Sequence, residues 1–128
     1  MGKKSRDSYI LRPRFRIVCG TAIAFGPGKA DLLEALLETG SITKAASRLK
    51  MSYMRAWMLI RTMNRCFREP LVVSVRGGTR GGGGAQLTVL GSEVLALYRK
   101  IETRGLKAVQ PDWQKLQKLL KAKPAAKK

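Results

Sequence analysis

Six of the eight residues from Gly77 to Gly84 are glycine. A run without Cβ atoms fills no core and holds no regular element, so it serves only where the chain turns or approaches something closely. Leu71 to Val75 precedes it as a β-branched run, and Ala85 to Leu87 follows it. The expectation is an antiparallel hairpin with the glycine tract as its tip. A nucleotide-binding phosphate loop is rejected. GGTRGGGGA lacks the Lys-Ser/Thr ending that positions phosphates and magnesium, and a strand rather than a helix follows it.

The rest of the chain is arranged around this hairpin. Arg14 to Cys19 alternates as RFRIVC, a strand period, and Gly26-Pro27-Gly28 breaks the chain. KADLLEALLETG then sets Leu32, Leu33, Leu36 and Leu37 at helical spacing up to Gly40, with an acidic outer surface. Ser41 and Thr43 offer caps for a short second helix whose Ala45 and Ala46 allow close approach. After a turn at Lys50-Met51, Ser52 caps a third helix, YMRAWMLIRTMNRCF. Ala56, Ile60, Met63 and Phe67 face the core in that helix. Met54, Trp57, Met58, Arg61 and Arg65 fall on the opposite arc, flanked by Tyr53 and Arg55. Pro70 closes it. Thr88 caps a fourth helix, from about Val89 to Arg104, carrying Leu90, Val94, Leu97, Tyr98 and Ile101. Beyond Gly105 and Pro111, DWQKLQKLLKAK forms a short amphipathic helix grouping Trp113, Leu116 and Leu120, and KPAAKK is disordered. The expected organisation is a basic N-terminal arm over 1–13, one domain over 14–105 and a Lys-rich tail over 106–128. The order β-α-α-α-β-β-α, mainly α with a small β-sheet, is that of a winged helix-turn-helix.

Charge restricts the partner. With 26 Lys plus Arg against 8 Asp plus Glu the net charge is +18, which calls for a polyanion, nucleic acid before an anionic membrane. There is no apolar run long enough to span a bilayer and no secretory signal, so a cytoplasmic location and no membrane partner are expected. The chain has no histidine, and Cys19 and Cys66 stand far apart. No metal site, no cofactor and no catalytic residue is therefore expected, and both thiols read as reduced packing residues.

From Ser41 through Phe67 there are six basic residues, Lys44, Arg48, Lys50, Arg55, Arg61 and Arg65, and no acidic one. The acids Asp31, Glu34 and Glu38 sit on the first helix. The third helix is thus the candidate recognition helix for double-stranded DNA, entering the major groove. Ser52 and Tyr53 stand at its start, where free amides meet phosphate, although Ser52 also reads simply as a cap. Arg55 or Arg61 reaches guanine, or both touch only phosphate; Met54 or Met58 meets a thymine methyl. Trp57 reads first as a packing residue that orients the helix, and second as a DNA-binding residue whose indole N–H reaches a phosphate. Lys44 and Arg65 are further candidate DNA-binding residues. In the hairpin tip, the wing, Gly77, Gly78, Gly81, Gly82, Gly83 and Gly84 with Arg76 and Arg80 follow the backbone or enter a minor groove; a merely flexible loop is the alternative.

Four stretches resemble a known family. GPGKADLLEALLETGSITKAASRL is similar to the first two helices, MSYMRAW to the recognition-helix start, GGTRGGGGAQLT to the wing and LTVLGSEVLALYRK to the last helix of the N-terminal domain of ModE-type, molybdate-responsive regulators, whose helix-turn-helix is related to that of LysR-type regulators. The resemblance spans roughly Arg14 to Arg104. It implies a transcriptional regulator acting as a homodimer, joined through the first and last helices, on a palindromic operator. Recognition helices would then lie about 34–36 Å apart. Val94, Leu95, Tyr98 and Ile101 are the candidate dimer residues, because the fourth helix is apolar on more than one face. Family members carry C-terminal molybdate-binding domains; this sequence continues for only some 24 residues past the fourth helix, so no molybdate-binding domain is expected in it. The seven lysines from Lys107 onward either neutralise phosphate or solubilise the tail. A nucleoid-type architectural binder with little sequence specificity is the competing class, motivated by net charge.

Overall fold

The computed structural model of the chain describes residues 8–75 and 84–122. Two compact units divide it, residues 14–100 and residues 1–13 with 101–128.

In the first unit, Ile17–Cys19 (β1) and Ala22–Phe25 (β2) form an antiparallel hairpin, Val18 opposite Ile23 and Cys19 opposite Ala22. The chain reverses through Gly20, whose φ of 62° is left-handed. Only one strand is expected here from sequence. The second escapes the period-2 rule because its two buried residues, Ala24 and Phe25, are adjacent rather than alternate. β1 is exposed along its whole length.

Pro27–Thr39 (α1) starts on Pro27, whose missing N–H costs nothing at a helix start, and ends at Gly40 with φ 69°. Leu32, Leu33 and Leu36 are fully buried, whereas Leu37, expected on the same stripe, is exposed. Ile42–Arg48 (α2) and Tyr53–Cys66 (α3) make the helix-turn-helix. Each is capped as its sequence implies: Ser41 Oγ accepts from the Lys44 amide at 3.1 Å, and Ser52 Oγ from the Arg55 amide at 3.0 Å. Thr43 lies inside α2 instead of capping it. Between the helices Lys50 takes a left-handed φ of 59°, while the Met51 amide donates to the Ala46 carbonyl. Ala45, Ala46, Ala56, Ile60 and Met63 are buried where the two helices meet the core. Phe67 meets Phe25 edge-on, with ring centroids 6.0 Å apart.

Val72–Val75 (β3) pairs antiparallel with Gly84–Leu87 (β4), Val72 opposite Leu87 and Val75 opposite Gly84. Asn64 fastens this hairpin to α3. Its Oδ1 accepts from the amides of Leu71 at 2.8 Å and Val72 at 3.2 Å, and its Nδ2 donates to the Val72 carbonyl at 3.0 Å. The other end of the pair is held by the Ala85 amide, which donates to the Gly40 carbonyl at 3.1 Å. Val89–Ala108 (α4) is capped by Thr88, whose Oγ1 accepts from the Gly91 amide at 2.9 Å and donates to the Pro70 carbonyl at 2.8 Å. α4 lies so close to the start of β3 that a Cβ on Gly91 would stand 2.2 Å from the Leu71 carbonyl oxygen.

Leu95 and Tyr98 of α4 correct an expectation: both are buried in the core of their own unit, at 8% and 3% exposure, and are not available to a partner. The Tyr98 ring sits edge-on to Phe25 at 5.1 Å and its hydroxyl donates to the Phe15 carbonyl at 2.6 Å. Val94 is half-buried against the same core, whereas Ile101 is exposed.

In the second unit α4 runs on through Gly105 to Ala108, because one glycine costs a helix only about 1 kcal/mol against alanine and cannot stop it without a cap geometry. Gln110–Gln117 (α5) follows. Tyr9 and Leu11 of the N-terminal segment line, with Leu106, Trp113 and Leu120, a groove of about 660 Å³. Leu116, expected beside Trp113 and Leu120, is exposed. KPAAKK, expected to be disordered, lies outside the described residues.

Candidate nucleic-acid interface

The charges of the first unit separate into those the fold pairs and those it leaves open. On α1, Asp31 and Glu34 both receive the Arg99 guanidinium of α4, at 2.9 and 2.7 Å, and Glu38 is paired with Arg48 of α2. Among the described residues no ion pair reaches Lys44, Arg55, Arg61 or Arg65. A helix surface with uncompensated cations attracts a polyanion in proportion to the charges left over.

Around α3 the side chains sort into a core face, an outer face and two flanks. Ala56, Ile60 and Met63 are buried, while Tyr53, Met54 and Met58 stand exposed. On one flank Trp57, Arg61 and Arg65 line a cleft of about 280 Å³ together with Ile42 of α2 and Val73 and Ser74 of β3. Trp57 is half-buried there, in a cleft that the start of α2 and the hairpin also line. The Arg61 guanidinium lies 5.2 Å from the centre of its ring, a cation–π contact that favours this direction of the arginine. On the other flank Arg55 shares a cleft with Arg14, Arg16 and Lys29. The two arginines named for base contact, Arg55 and Arg61, thus leave α3 toward opposite sides, and Arg61 with Arg65 stays beside Trp57. Lys44 is exposed on α2. Ser52, with its hydroxyl engaged by the Arg55 amide, is exposed at the start of α3.

The wing is covered only in part. Arg76, Gly77, Gly78, Arg80, Gly81, Gly82 and Gly83 lie outside the described residues. Gly84 belongs to β4 and not to the hairpin tip, and its lack of a side chain has a packing cause: a Cβ would meet the Gly40 carbonyl oxygen at 3.0 Å. The cysteines also differ from expectation. Cys19 and Cys66 are free but exposed, since one ends the exposed strand β1 and the other ends α3.

Two functional candidates escaped the periodicity. Asn64 lies off the outer arc of α3, and its role appears only when β3 is placed against it. Lys29, at 8% exposure, is buried although lysine seldom is, and its Nζ donates to the Ile23 carbonyl at 2.8 Å. Burial above all holds its pKa below the ordinary lysine value; Arg55 acts in the same direction and Cys66 against it. Among the described residues no cluster of His, Cys, Asp or Glu could hold a metal ion, and no helix is long and apolar enough to cross a membrane.

Known proteins share this region. Over 83 residues the chain is 48% identical to the molybdenum transport protein ModE of Azotobacter vinelandii, covering 65% of this chain and 30% of that protein. It is 43% identical over 75 residues to ModE of Herbaspirillum seropedicae, covering 59% of this chain and 28% of that protein. With the transcriptional regulator ModE of Yersinia pestis it shares 40% over 82 residues, 64% of this chain and 31% of that protein. The matched stretch therefore spans less than a third of each of these relatives. Residues 29–92, from the first turn of α1 through the first turn of α4, match the family described as bacterial regulatory helix-turn-helix protein, lysR family. With its α2–α3 pair, antiparallel hairpin and capped α4 in that order, the chain belongs to the lysR family of bacterial regulatory helix-turn-helix proteins.

Proposed function

We propose that the chain binds double-stranded DNA as a sequence-specific transcriptional regulator, with the outer face of α3 in the major groove. One observation carries this reading: Met54, Met58, Arg61 and Arg65 stand on a rigid, capped helix, exposed and without carboxylate partners among the described residues, while the acids of α1 are occupied by Arg48 and Arg99. Arg61, held by Trp57, is the first candidate for a guanine contact, and the two methionines offer apolar surface to thymine methyls. Arg65 and Lys44 serve the phosphates. The relatives named as regulators support the same role.

A homodimer fits this reading, and its surface differs from a simple carry-over of the α4 residues. With Leu95 and Tyr98 used by the core, the exposed large apolar residues of α4 are Val89 at its start and Leu97 and Ile101, four residues apart, and on α1 Leu37 is exposed as well. Residues i and i+4 of a helix lie on one face, which gives a partner helix a narrow apolar contact. Leu97→Glu should therefore yield monomer in sedimentation while the thermal transition is kept.

Selection of bound sites from random duplexes tests the function. A recurring palindrome with half-sites about one helical turn apart is the expected result. Bound fragments without a shared sequence, or a bound complex that excess unrelated duplex displaces as readily as itself, would leave the architectural reading in its place.

A further inference from the structure

The cleft on the second flank of α3 is lined by four cationic side chains from three parts of the first unit: Arg14 and Arg16 before β1, Lys29 in the first turn of α1, and Arg55 on α3. No Asp or Glu lines it, and none of the ion pairs among the described residues reaches any of the four. Its volume of about 260 Å³ is several times the roughly 30 Å³ that one water occupies. Three of the cations are exposed, so water screens their mutual repulsion in part, but Lys29 is buried and has only one bonded acceptor, the Ile23 carbonyl. Two donor positions of its ammonium remain. Such a set is poorly compensated by the chain itself and is completed by an anion with several acceptor oxygens.

We propose that this cleft is a binding site for a single phosphate-type oxyanion, held by Arg14, Arg16, Lys29 and Arg55. The arginines supply planar forks suited to two oxygens at once, and Lys29 supplies a charge at the floor. Gly28 leaves the mouth open: a Cβ there would meet nothing within 4 Å. α1 begins on Pro27 with no side chain capping it, so the amides of Gly28 and Lys29, both of which line the cleft, have no acceptor within their own helix. The oxyanion is either a backbone phosphate of a duplex lying along α3 or a free phosphate group. The chemistry is the same in both cases, and the site stands independently of the DNA-binding reading.

Inorganic phosphate titrated into the full chain, with chloride matched for ionic strength and amide shifts followed by NMR, tests the site without DNA. Saturable shifts confined to Gly28, Lys29 and their neighbours are expected. They should weaken about tenfold or more in the double variant Arg14→Gln, Arg16→Gln, whose exposed side chains leave the melting temperature unchanged. They should vanish in Gly28→Glu, which places a carboxylate at the mouth without a clash. Shifts that fail to saturate, that spread over all basic surfaces, or that persist in both variants overturn the proposal. Duplex binding by the double variant separates the sources. A salt dependence of log affinity shallower by about 0.9 for each lost contact identifies a backbone phosphate. An unchanged slope, with inorganic phosphate binding lost, identifies a free oxyanion. A chain that binds no duplex refutes the proposed function, while the phosphate titration still decides this site.

Discussion

α1 and α3 are helices of nearly equal length, each with one face in the same core, and they treat charge in opposite ways. The acids of α1 are answered from within the fold, by Arg48 on the neighbouring helix and by Arg99 far along the chain. Arg55, Arg61 and Arg65 of α3 have no such answer among the described residues. Nearness in sequence does not explain this, since α2 lies between the two helices and pairs with only one of them. The contrast separates charge that closes the structure from charge that remains for something outside it. α1 is a structural helix with a neutralised back. α3 is anchored as firmly, by Ala56, Ile60, Met63 and the Asn64 clamp, and presents cations outward.

If that division is right, changes on the structural side should alter stability and those on the outer face of α3 should alter binding. The largest effect is expected at Gly91, where alanine would drive a Cβ into the Leu71 carbonyl and cost about 3 kcal/mol, read by thermal or urea denaturation. A protein of unchanged stability would mean that α4 and β3 are not held as described. Next comes Arg61→Ala with Arg65→Ala: affinity for a selected site should fall about 10- to 100-fold at fixed salt, with the melting temperature unmoved. Equal losses of stability and binding would break the comparison, because α3 would then be structural as well.

Ser52→Ala sits on the boundary. Losing the cap to the Arg55 amide should cost about 1 kcal/mol in denaturation, and binding should weaken only through the fraying of the first turn of α3. Glu34→Gln and Glu38→Gln should each change stability by no more than about 0.5 kcal/mol, since both pairs are exposed, and should leave duplex binding as it was. The smallest effect concerns Lys29. Its pKa is lowered in the folded chain, mainly by burial, so between that lowered value and the ordinary 10.5 the unfolded chain binds more protons and stability rises with pH. Lys29→Met should remove that rise; an identical pH profile in the two proteins would show that Lys29 is solvated rather than buried.

Much of the fold was legible locally. The caps at Ser41, Ser52 and Thr88 involve a hydroxyl and an amide three residues on, and the left-handed Gly40 closes a helix on its own last turn. The core stripe of α3 needs only the helical period. What failed was less local. β2 was hidden because its burial is not alternate, and α4 ran past the glycine that was expected to end it.

The candidate site shows the same boundary more sharply. Periodicity assigns Arg55, Trp57, Arg61 and Arg65 their angles about the axis of α3 without saying what stands at each angle. Chain order alone therefore determined a helix-turn-helix whose third helix is basic and acid-free, with a hairpin after it, because repeats, caps and turn residues act over a few positions. Tertiary structure alone decided that Leu95 and Tyr98 belong to the core, that Arg99 closes onto α1 and that Arg55 joins Arg14, Arg16 and Lys29 in one cleft. Burial and ion pairing are settled by which surfaces meet, and those surfaces come from residues tens of positions apart.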